Sequence, residues 1–261
     1  MKLQIIGTAS AKAELNRFHS SFIISDGKAK ILFDAGDGIS QALLQSQIDF
    51  STINSIIISH FHADHIAVLP LLITRMKISR RTKPLKIFVP NKLVDSLNRL
   101  LNLFYIFPEK TDFEISVLPF YGEGKFTPEN EIEIVPMKNS HVVNKYQIPP
   151  NKNVAFESYG FLISQNDVRL YYTADISSSD ELNLFNDKNP THIITEAYHV
   201  SLDEIFSFAQ TTSAIKVFIT HYASELIPLF NSKIKKEKSD GKVHLLEDGE
   251  KINFLEKDLL K

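Results

Sequence analysis

The sequence predicts a mixed α/β (α+β) fold in which two β-sheets pack against each other and helices cover their outer faces. The chain has 261 residues, of which 43% are hydrophobic and 23% are charged, as in ordinary globular proteins. Short apolar runs rich in β-branched residues occur in two clusters along the chain, and stretches with helical spacing of apolar residues follow each cluster. This grouping favours two packed sheets over a strict alternation of strands and helices.

The predicted strands are too short to be helices and are rich in residues that favour strands. They are Leu3–Ile6, Ser21–Ile24, Lys30–Phe33, Ser55–Ile58, Leu85–Val89, Glu131–Val135, Phe161–Ile163, Val168–Tyr172, His192–Ile194 and Ile215–Ile219. The predicted helices are Ile39–Ser46, Ile66–Met76, Lys92–Phe104, Ser178–Phe185, Leu202–Thr212 and Ser224–Lys235. We predict loops at Phe107–Asp112, Phe126–Asn130 and the Pro-Pro segment Tyr146–Asn153. No low-complexity linker interrupts residues 1–261, so we expect a single domain.

Composition and charge exclude several classes of protein. The formal net charge of −2 excludes a broadly basic nucleic-acid-binding chain. The absence of cysteine excludes disulfides, thiolate nucleophiles and cysteine-based zinc sites. No apolar run approaches the ~20 residues of a membrane span, and the N-terminus lacks the apolar region of a signal peptide. We therefore expect a cytoplasmic protein that does not contact a membrane.

The segment Ile56–Ile66 (IIISHFHADHI) carries the strongest chemical signal in the sequence. An apolar strand ends here in His60, His62, Asp64 and His65. Residues i and i+2 of a strand point to the same side, so His60 and His62 can converge on one cation. Asp64 and His65 follow where the chain turns, and they can serve a second cation. Imidazole and carboxylate suit Zn²⁺, and also Mn²⁺ or Fe.

Further candidate ligands come directly after other apolar strands. They are Asp34, His141, Asp175 and His221. Because ligands at the carboxyl ends of neighbouring strands can meet at one edge of a sheet, we expect these side chains to converge with the histidine-rich segment.

These motifs, in this order, resemble those of the metallo-β-lactamase-fold hydrolases, in the branch that contains ribonuclease Z and related phosphodiesterases. The similarity extends over nearly the whole chain, from GTASAKAELNRFHSSFIIS (Gly7–Ser25) through FDAGDG and SHFHADH to FITHYA. It implies a four-layer αββα metallo-β-lactamase sandwich with a dinuclear site along one edge. It also implies two Zn²⁺ ions as cofactors, with Mn²⁺ or Fe as alternatives.

The resemblance implies a ligand set for each metal. The first metal would be held by His60, His62, His141 and Asp175. The second would be held by Asp64, His65, Asp175 and His221, so that Asp175 bridges both. Asp34 would not bind metal but would accept a hydrogen bond that orients a ligand.

The resemblance also implies catalytic roles outside the ligand set. His199 occupies the place of a histidine that acts on the scissile phosphate as proton donor or oxyanion stabiliser, and Glu196 matches an acid that supports it. A solvated or helix-capping histidine and a solvated acid are the alternative interpretations of this pair. Asp64, besides binding metal, can receive the proton of the attacking water.

On this basis we expect a binuclear zinc-dependent hydrolase, a phosphodiesterase acting on small, cyclic or nucleotide phosphodiesters through a metal-bridging hydroxide. The interval between His141 and Asp175 has no room for the long arm with which bacterial ribonuclease Z grips tRNA. The cysteine-rich extra zinc site of some cyclic-phosphate phosphodiesterases is also missing. Both departures favour a small phosphodiester substrate.

Three alternative functions remain at this point. A ribonuclease Z-like tRNA 3′ endonuclease would have RNA as its partner, and the basic segment Arg75–Lys86 (RMKISRRTKPLK) could attract it, although a solvated helix end and loop is the simpler interpretation. A hydrolase of thioesters, lactones or sulfate esters could use the same site. A non-catalytic binding module is the least favoured, because a scaffold does not require a complete ligand set. The resemblance also leads us to expect a homodimer.

Overall fold

Two β-sheets form the centre of the computed structural model, which describes residues 1–145, 155–237 and 241–254. The strands are β1 (Lys2–Gly7), β2 (Ser21–Ser25), β3 (Lys30–Phe33), β4 (Ser55–Ile57), β5 (Leu85–Pro90), β6 (Ile115–Phe120), β7 (Phe126–Glu129), β8 (Ile132–Lys138), β9 (Tyr159–Gln165), β10 (Val168–Tyr172), β11 (His192–Glu196), β12 (Lys216–Thr220), β13 (Val243–Leu245) and β14 (Lys251–Asn253). The helices are α1 (Ile39–Gln45), α2 (Ala63–Ile66), α3 (Leu69–Ile78), α4 (Val94–Leu103), α5 (His141–Lys145), α6 (Leu202–Thr211) and α7 (Leu226–Glu237).

Each sheet has seven strands and mixed pairing. The first has the order β14-β1-β2-β3-β4-β5-β6, and the second has the order β13-β12-β11-β10-β9-β8-β7. Strands β3 to β6 run parallel to one another, as do β10 to β13. Parallel neighbours place their carboxyl ends at the same edge, and this edge is where the candidate ligands follow their strands.

Alternation of apolar side chains builds the layers of the first sheet. In β2, Phe22 and Ile24 belong to a buried cluster that also contains Leu170 of the second sheet. The residue between them, Ile23, belongs instead to a cluster with Leu43 of α1 and other residues of the first half of the chain. Successive strand residues point to opposite faces, so one face of β2 meets the second sheet and the other meets helices.

The second sheet follows the same rule. Phe218 of β12 belongs to the cluster between the sheets, whereas its neighbours Val217 and Ile219 pack in a cluster with Ile205 of α6 and Phe230 of α7. Helices therefore cover both outer faces. This arrangement confirms the predicted four-layer αββα sandwich.

The strands that the sequence did not reveal lie at the edges of the sheets. Strands β6, β7, β13 and β14 are the four edge strands, and the prediction of a loop at Phe126–Asn130 is wrong because β7 lies there. An edge strand pairs on one side only and tolerates proline, as at Pro119 and Pro128, so its sequence is a weak strand signal. The predicted helix Ser178–Phe185 is a 3₁₀ segment over Ser179–Asn183.

The helix predicted at Ile66–Met76 is divided in the structure. Helix α2 ends at Ile66, and α3 starts at Leu69 with Pro70 in its first turn. Proline lacks an amide hydrogen and fits only the first turn, so it starts a new helix rather than continuing one. Asp64 and His65 therefore lie on a short helix of their own. The predicted loop Tyr146–Asn153 falls outside the described residues.

The basic segment Arg75–Lys86 is not entirely solvated, because Arg81 is only 1% exposed. Its guanidinium donates hydrogen bonds to the carbonyl oxygens of Phe50, Lys83 and Pro84. The sequence analysis offered two interpretations of this segment, a surface that attracts RNA and a solvated helix end with a loop. Arg81 fits neither, because a buried and hydrogen-bonded arginine is not solvated and adds little attraction for a polyanion. Within the described ranges, no helix is long and apolar enough to cross a membrane.

Candidate metal centre

The predicted ligands follow the ends of strands from both sheets. His60 and His62 come after β4, and Asp64 and His65 lie on α2 directly behind them. In the second sheet, His141 starts α5 after β8, Asp175 follows β10, and His221 follows β12. The strand ends bring all of these side chains together, and every one of them except His62 is less than 10% exposed.

The backbone adopts an unfavourable conformation at several of these strand ends. Asp34 has φ 59°, Ala174 has φ 51° and His221 has φ 48°, although none of them is glycine. Such conformations cost about 1–3 kcal/mol each and persist only where surrounding contacts impose them. Each turns the chain sharply just after a strand, so that Asp34, Asp175 and His221 lie at the same edge.

One group of donors consists of His60, His62, His141 and Asp175, whose ligating atoms all lie within 4.8 Å of one another. Nδ1 of His62 is 2.9 Å from Nε2 of His60 and 3.2 Å from Nε2 of His141. Oδ2 of Asp175 is 3.6 Å from Nε2 of His141 and 4.0 Å from Nε2 of His60.

A second group consists of Asp64, His65, Asp175 and His221, again within 4.8 Å of one another. Nε2 of His221 is 3.1 Å from Oδ2 of Asp64 and 3.5 Å from Oδ1 of Asp175. Nε2 of His65 is 3.3 Å from Oδ1 of Asp175. The two oxygens of Asp175 therefore face different groups, Oδ2 the first and Oδ1 the second.

These groups fit small divalent cations. Donors about 2.0–2.1 Å from a tetrahedral zinc ion lie roughly 3.3 Å from one another, close to the separations measured here. Nε2 of His65 and Oδ1 of Asp175 are buried, and neither makes a hydrogen bond to the described part of the chain. Buried polar atoms without partners are costly, and a cation between them would satisfy both. Imidazole and carboxylate donors are the set that zinc, manganese and iron accept.

The electrostatics of the centre are dominated by burial and by close opposite charges. Burial, reinforced by the charge of His65, lowers the pKa of His60 well below its usual value. Burial opposes protonation of His65 too, but the carboxylates of Asp175 and Asp34 outweigh it and raise the pKa of His65 well above the usual value. Burial would raise the pKa of Asp175, yet His221 and His65 hold it well below its ordinary range. A buried carboxylate that stays anionic is a strong attraction for a cation.

Asp34 lies behind the second group and orients one of its members. Its Oδ2 accepts a hydrogen bond from Nδ1 of His65 at 2.9 Å, which leaves Nε2 of that ring facing Asp175. Asp34 also accepts from the backbone N–H of Ser59 at 2.8 Å and from the hydroxyl of Tyr172 at 2.9 Å. Such a carboxylate fixes both the tautomer and the ring plane of a histidine.

Gly36 allows the turn after Asp34 to approach α2. A Cβ atom at Gly36 would lie only 1.8 Å from the carbonyl oxygen of Asp64. No side chain can occupy that space without moving the backbone that carries Asp64, so glycine is required here.

Glu196 and His199 form a connected pair beside the centre. Oε1 of Glu196 lies 2.9 Å from Nδ1 of His199, and Oε2 accepts from the backbone N–H groups of Tyr198 and His199 at 2.7 Å each. Glu196 is 1% exposed, so the interpretation of this residue as a solvated acid is wrong. The His199 ring lies 4.7 Å from that of His141, between centroids, and its side chain is 23% exposed.

Two residues that the sequence analysis did not identify hold the ligand-bearing loops of the second sheet together. The side-chain amide of Asn139 donates to the carbonyl of Asp175 at 2.9 Å, and its Oδ1 accepts from the N–H of His141. Glu181 accepts from the N–H groups of Ser140 and Ser177. Asn139 lies in the KNSH segment just before a proposed ligand, which is the one signal in the sequence that could have drawn attention to it.

Comparisons with known proteins agree with this architecture. The family model of the anti-Pycsar protein Apyc1 matches residues 1–252. Apyc1 of Saccharibacillus brassicae is 27% identical over 263 residues, which cover 95% of this chain and 98% of that protein. Ribonuclease Z of Methanococcus maripaludis is 32% identical over 161 residues, which cover 62% of this chain and 48% of that protein. The chain spans about half the length of the curated ribonuclease Z relatives that it matches.

The fold is shared with solved structures. The metallo-β-lactamase fold protein YhfI from Bacillus subtilis aligns with a TM-score of 0.75 at 20% identity, covering 96% of this chain and 98% of that one. The resemblance to the metallo-β-lactamase-fold branch that includes ribonuclease Z is thereby confirmed.

Proposed function

The chain belongs to the family of the anti-Pycsar protein Apyc1, among the metallo-β-lactamase-fold hydrolases related to ribonuclease Z, and from this premise we propose that it is a phosphodiesterase that holds two Zn²⁺ ions. Its substrates are small, cyclic or nucleotide phosphodiesters. The observation that carries the proposal is the orientation of Asp175. Its Oδ1 lies 3.3 Å from Nε2 of His65 and its Oδ2 lies 3.6 Å from Nε2 of His141. Sharing one carboxylate between two donor groups supports a pair of cations.

A phosphodiester resists hydrolysis because a nucleophile must approach an anion and expel an alkoxide. Divalent cations held in the two donor groups would supply charge neutralisation at phosphate oxygens and an activated water. The donors proposed for them are His60, His62, Asp64, His65, His141, Asp175 and His221.

The side chains of this protein then handle the protons. Asp64 is the proposed acceptor of a proton from the attacking water. Hydrogen bonding to His221 and the charge of His65 outweigh its burial and keep its pKa below the usual range, so its carboxylate is ionised and has lone pairs free to accept. His199 donates a proton to the leaving oxygen. Glu196 positions His199, because the carboxylate fixes Nδ1 and leaves Nε2 as the nitrogen available to a substrate.

The test combines metal analysis of the purified chain with a panel of esters. We expect two metal ions per chain and turnover of a bis-phosphodiester and of a cyclic nucleotide. Turnover of a thioester or lactone with no phosphodiester activity would contradict the proposal and indicate a different hydrolase. Full metal content with no activity on any ester would contradict catalysis itself and indicate a binding module.

A tRNA 3′ endonuclease is the second candidate, and the match to ribonuclease Z favours it. A pre-tRNA substrate in the same panel distinguishes the two. Release of the 3′ trailer at a rate above that of the small esters would favour the endonuclease. The burial of Arg81 removes one cation from the basic segment that could attract RNA, which makes the small phosphodiester the stronger proposal.

A further inference from the structure

The turn that carries His221 is held in an unfavourable backbone conformation by contacts from distant parts of the chain. His221 has φ 48° directly after β12, and the next residue, Tyr222, is buried. Conformations of this kind persist only where surrounding contacts impose them. Nε2 of His221 is 3.1 Å from Oδ2 of Asp64 in the second donor group. The contacts that impose this turn therefore also set the position of a proposed metal ligand.

Tyr222 is fixed through its backbone and through its side chain. Its N–H donates to the carbonyl of Thr8 at 3.1 Å, and its hydroxyl donates to the carbonyl of Leu246 at 2.7 Å. Its own carbonyl accepts from Nη1 of Arg17 at 3.0 Å, and the guanidinium carbon of Arg17 lies 3.8 Å from the centre of the Tyr222 ring. Arg17 therefore holds the residue after His221 both by a hydrogen bond and by a cation–π contact.

Every nitrogen of the Arg17 side chain donates within the protein, and that side chain is only 12% exposed. Nε and Nη2 donate to Oγ1 of Thr8 at 3.2 and 3.0 Å, and Nη1 also pairs with Glu14 at 3.2 Å. Arginine binds phosphate best through two parallel N–H donors, and Nε and Nη2 are already used in this way on Thr8. These contacts favour a role for Arg17 in supporting the turn rather than in binding a substrate phosphate.

Asp248 connects Arg17 to a segment that crosses between the sheets. Strand β13 belongs to the second sheet and β14 to the first, so residues 246–250 pass from one sheet to the other. Oδ1 of Asp248 accepts from the Thr8 hydroxyl at 2.6 Å, and Oδ2 accepts from the N–H of Phe18 at 2.8 Å. A hydroxyl has one donor and two acceptor positions, and Asp248 and the two nitrogens of Arg17 use all three of those of Thr8. Asp248 thus fixes the direction of the hydroxyl on which Arg17 rests.

We propose that Arg17, which Asp248 holds in place through Thr8, is a positioning residue for His221 and sets the affinity of the second donor group for its metal. The inference rests on the two-metal centre of the proposed function. Loss of a contact that orients a metal ligand typically lowers metal affinity 10–100-fold. His221 belongs to the second donor group and not to the first, so the affinity for the first metal should not change.

Zinc binding to Arg17→Lys tests this proposal, because lysine keeps the charge but lacks the planar group that contacts both Thr8 and the Tyr222 ring. In equilibrium dialysis, we expect the second zinc to bind roughly 10–100-fold more weakly and the first to bind as in the wild type. Excess zinc should restore kcat. Arg81→Lys is the matched control, because Arg81 also donates to backbone carbonyls and lies over an aromatic ring, that of Phe113. It should lose stability and keep both zinc affinities.

Two further comparisons identify the metal that is lost and the route by which Arg17 acts. Asp64→Ala should already lack the second metal, so adding Arg17→Lys to it should leave the affinity for the remaining zinc unchanged. Thr8→Val removes the hydroxyl between Asp248 and Arg17 and should weaken the second zinc as Arg17→Lys does. Thr8→Ser keeps that hydroxyl and should bind both metals as the wild type does. The pair of Thr8 variants also decides the proposal if Arg17→Lys does not fold.

Several results would overturn the inference. These are unchanged zinc binding in Arg17→Lys, an equal loss of both metals, an equal weakening of the second zinc in Arg81→Lys, and a wild-type chain that binds a single zinc. None of these measurements needs a substrate, so they are independent of the ester panel. A chain that hydrolyses no phosphodiester but loses the second zinc selectively in Arg17→Lys would contradict the proposed function and support the role of Arg17.

Discussion

Tyr172 and Asp34 join the two sheets directly beside the candidate metal centre. The hydroxyl of Tyr172, at the end of β10, donates to Oδ2 of Asp34, just after β3, at 2.9 Å, and both residues are buried. The same oxygen faces Nδ1 of His65 at 2.9 Å. Burial, with the charge of Asp34, raises the pKa of Tyr172 well above its usual value, so the phenol remains a donor. The orientation of a proposed ligand is thus coupled to a contact between the sheets.

Removing this hydroxyl should affect both stability and metal binding. We expect Tyr172→Phe to lower the free energy of unfolding by about 1–3 kcal/mol, because a buried carboxylate loses one of its donors. Metal affinity should fall by roughly tenfold or more, because the ring of His65 is less firmly oriented. Urea denaturation measures the first effect, and equilibrium dialysis against zinc measures the second.

Tyr171→Phe is the matched control for this prediction. Tyr171 is equally buried, but its hydroxyl donates to the backbone carbonyl of Glu181 at 2.7 Å and does not contact Asp34. Tyr171→Phe should lower the free energy of unfolding by an amount similar to that of Tyr172→Phe and leave metal affinity unchanged. An equal drop in metal affinity for both variants would show that the effect is general loosening of the core.

Counting the bound metals in two aspartate variants should distinguish a ligand shared by both metals from a ligand of only one metal. Asp175 faces both donor groups and Asp64 only the second, so we expect Asp175→Ala to lose most of both metals and nearly all activity. Asp64→Ala should retain about one metal per chain. Mass spectrometry of the metal content after dialysis gives the stoichiometry. Two metals in Asp175→Ala, or none in Asp64→Ala, would contradict the assignment of the two groups.

The sequence predicted the candidate ligands better than their supports, for a physical reason. His60, His62, Asp64 and His65 lie within one short motif after a strand, so local pattern alone indicates a metal site. The contact between Tyr172 and Asp34 joins residues far apart in sequence, and only the packing of the two sheets creates it. The edge strands and the burial of Arg81 were not predicted for the same reason, because packing against neighbouring elements rather than local sequence pattern determines them.

Glu157 should make stability depend on pH in the acid range. Although Glu157 is buried, its hydrogen bond from Tyr159 and those from Lys138 and Lys92 lower its pKa below that in the unfolded chain, which is about 4.3. A carboxyl with a lowered folded-state pKa contributes stability above the unfolded pKa and loses it as the pH falls through the folded one. The stability difference between wild type and Glu157→Gln should therefore be largest near pH 7 and shrink below about pH 4.3.

Urea denaturation at several pH values measures this difference. Glu133→Gln is the matched control, because Glu133 is 47% exposed and pairs only with the exposed Lys125 among the interactions described for it. An exposed ion pair contributes little to the free energy of unfolding, so the stability difference between wild type and Glu133→Gln should stay small at every pH. The prediction would be contradicted if the stability difference between wild type and Glu157→Gln were constant with pH or grew below pH 4.

The role of His199 should appear in how the rate depends on the leaving group. A proton donor matters most when the leaving oxygen is strongly basic, and general acid catalysis contributes about 10²–10⁴-fold. We expect His199→Ala to reduce kcat by roughly that factor for an alkyl phosphodiester and by much less for a 4-nitrophenyl ester. Steady-state kinetics on the two esters measures the contrast. An equal loss on both would assign His199 to binding or structure instead.

Glu196 should act only through His199, and Glu196→Gln tests this. The wild-type carboxylate accepts from Nδ1 of His199 and from the backbone N–H groups of Ile176, Tyr198 and His199, whereas an amide has one oxygen and its NH₂ cannot accept. We expect kcat to fall roughly 10–100-fold for the alkyl ester, with KM nearly constant and the same leaving-group contrast as in His199→Ala. In the double variant His199→Ala/Glu196→Gln, the second change should add almost nothing, because both residues serve one proton transfer. Additive losses, or a loss independent of the leaving group, would mean that Glu196 stabilises the turn after β11 rather than positioning the donor.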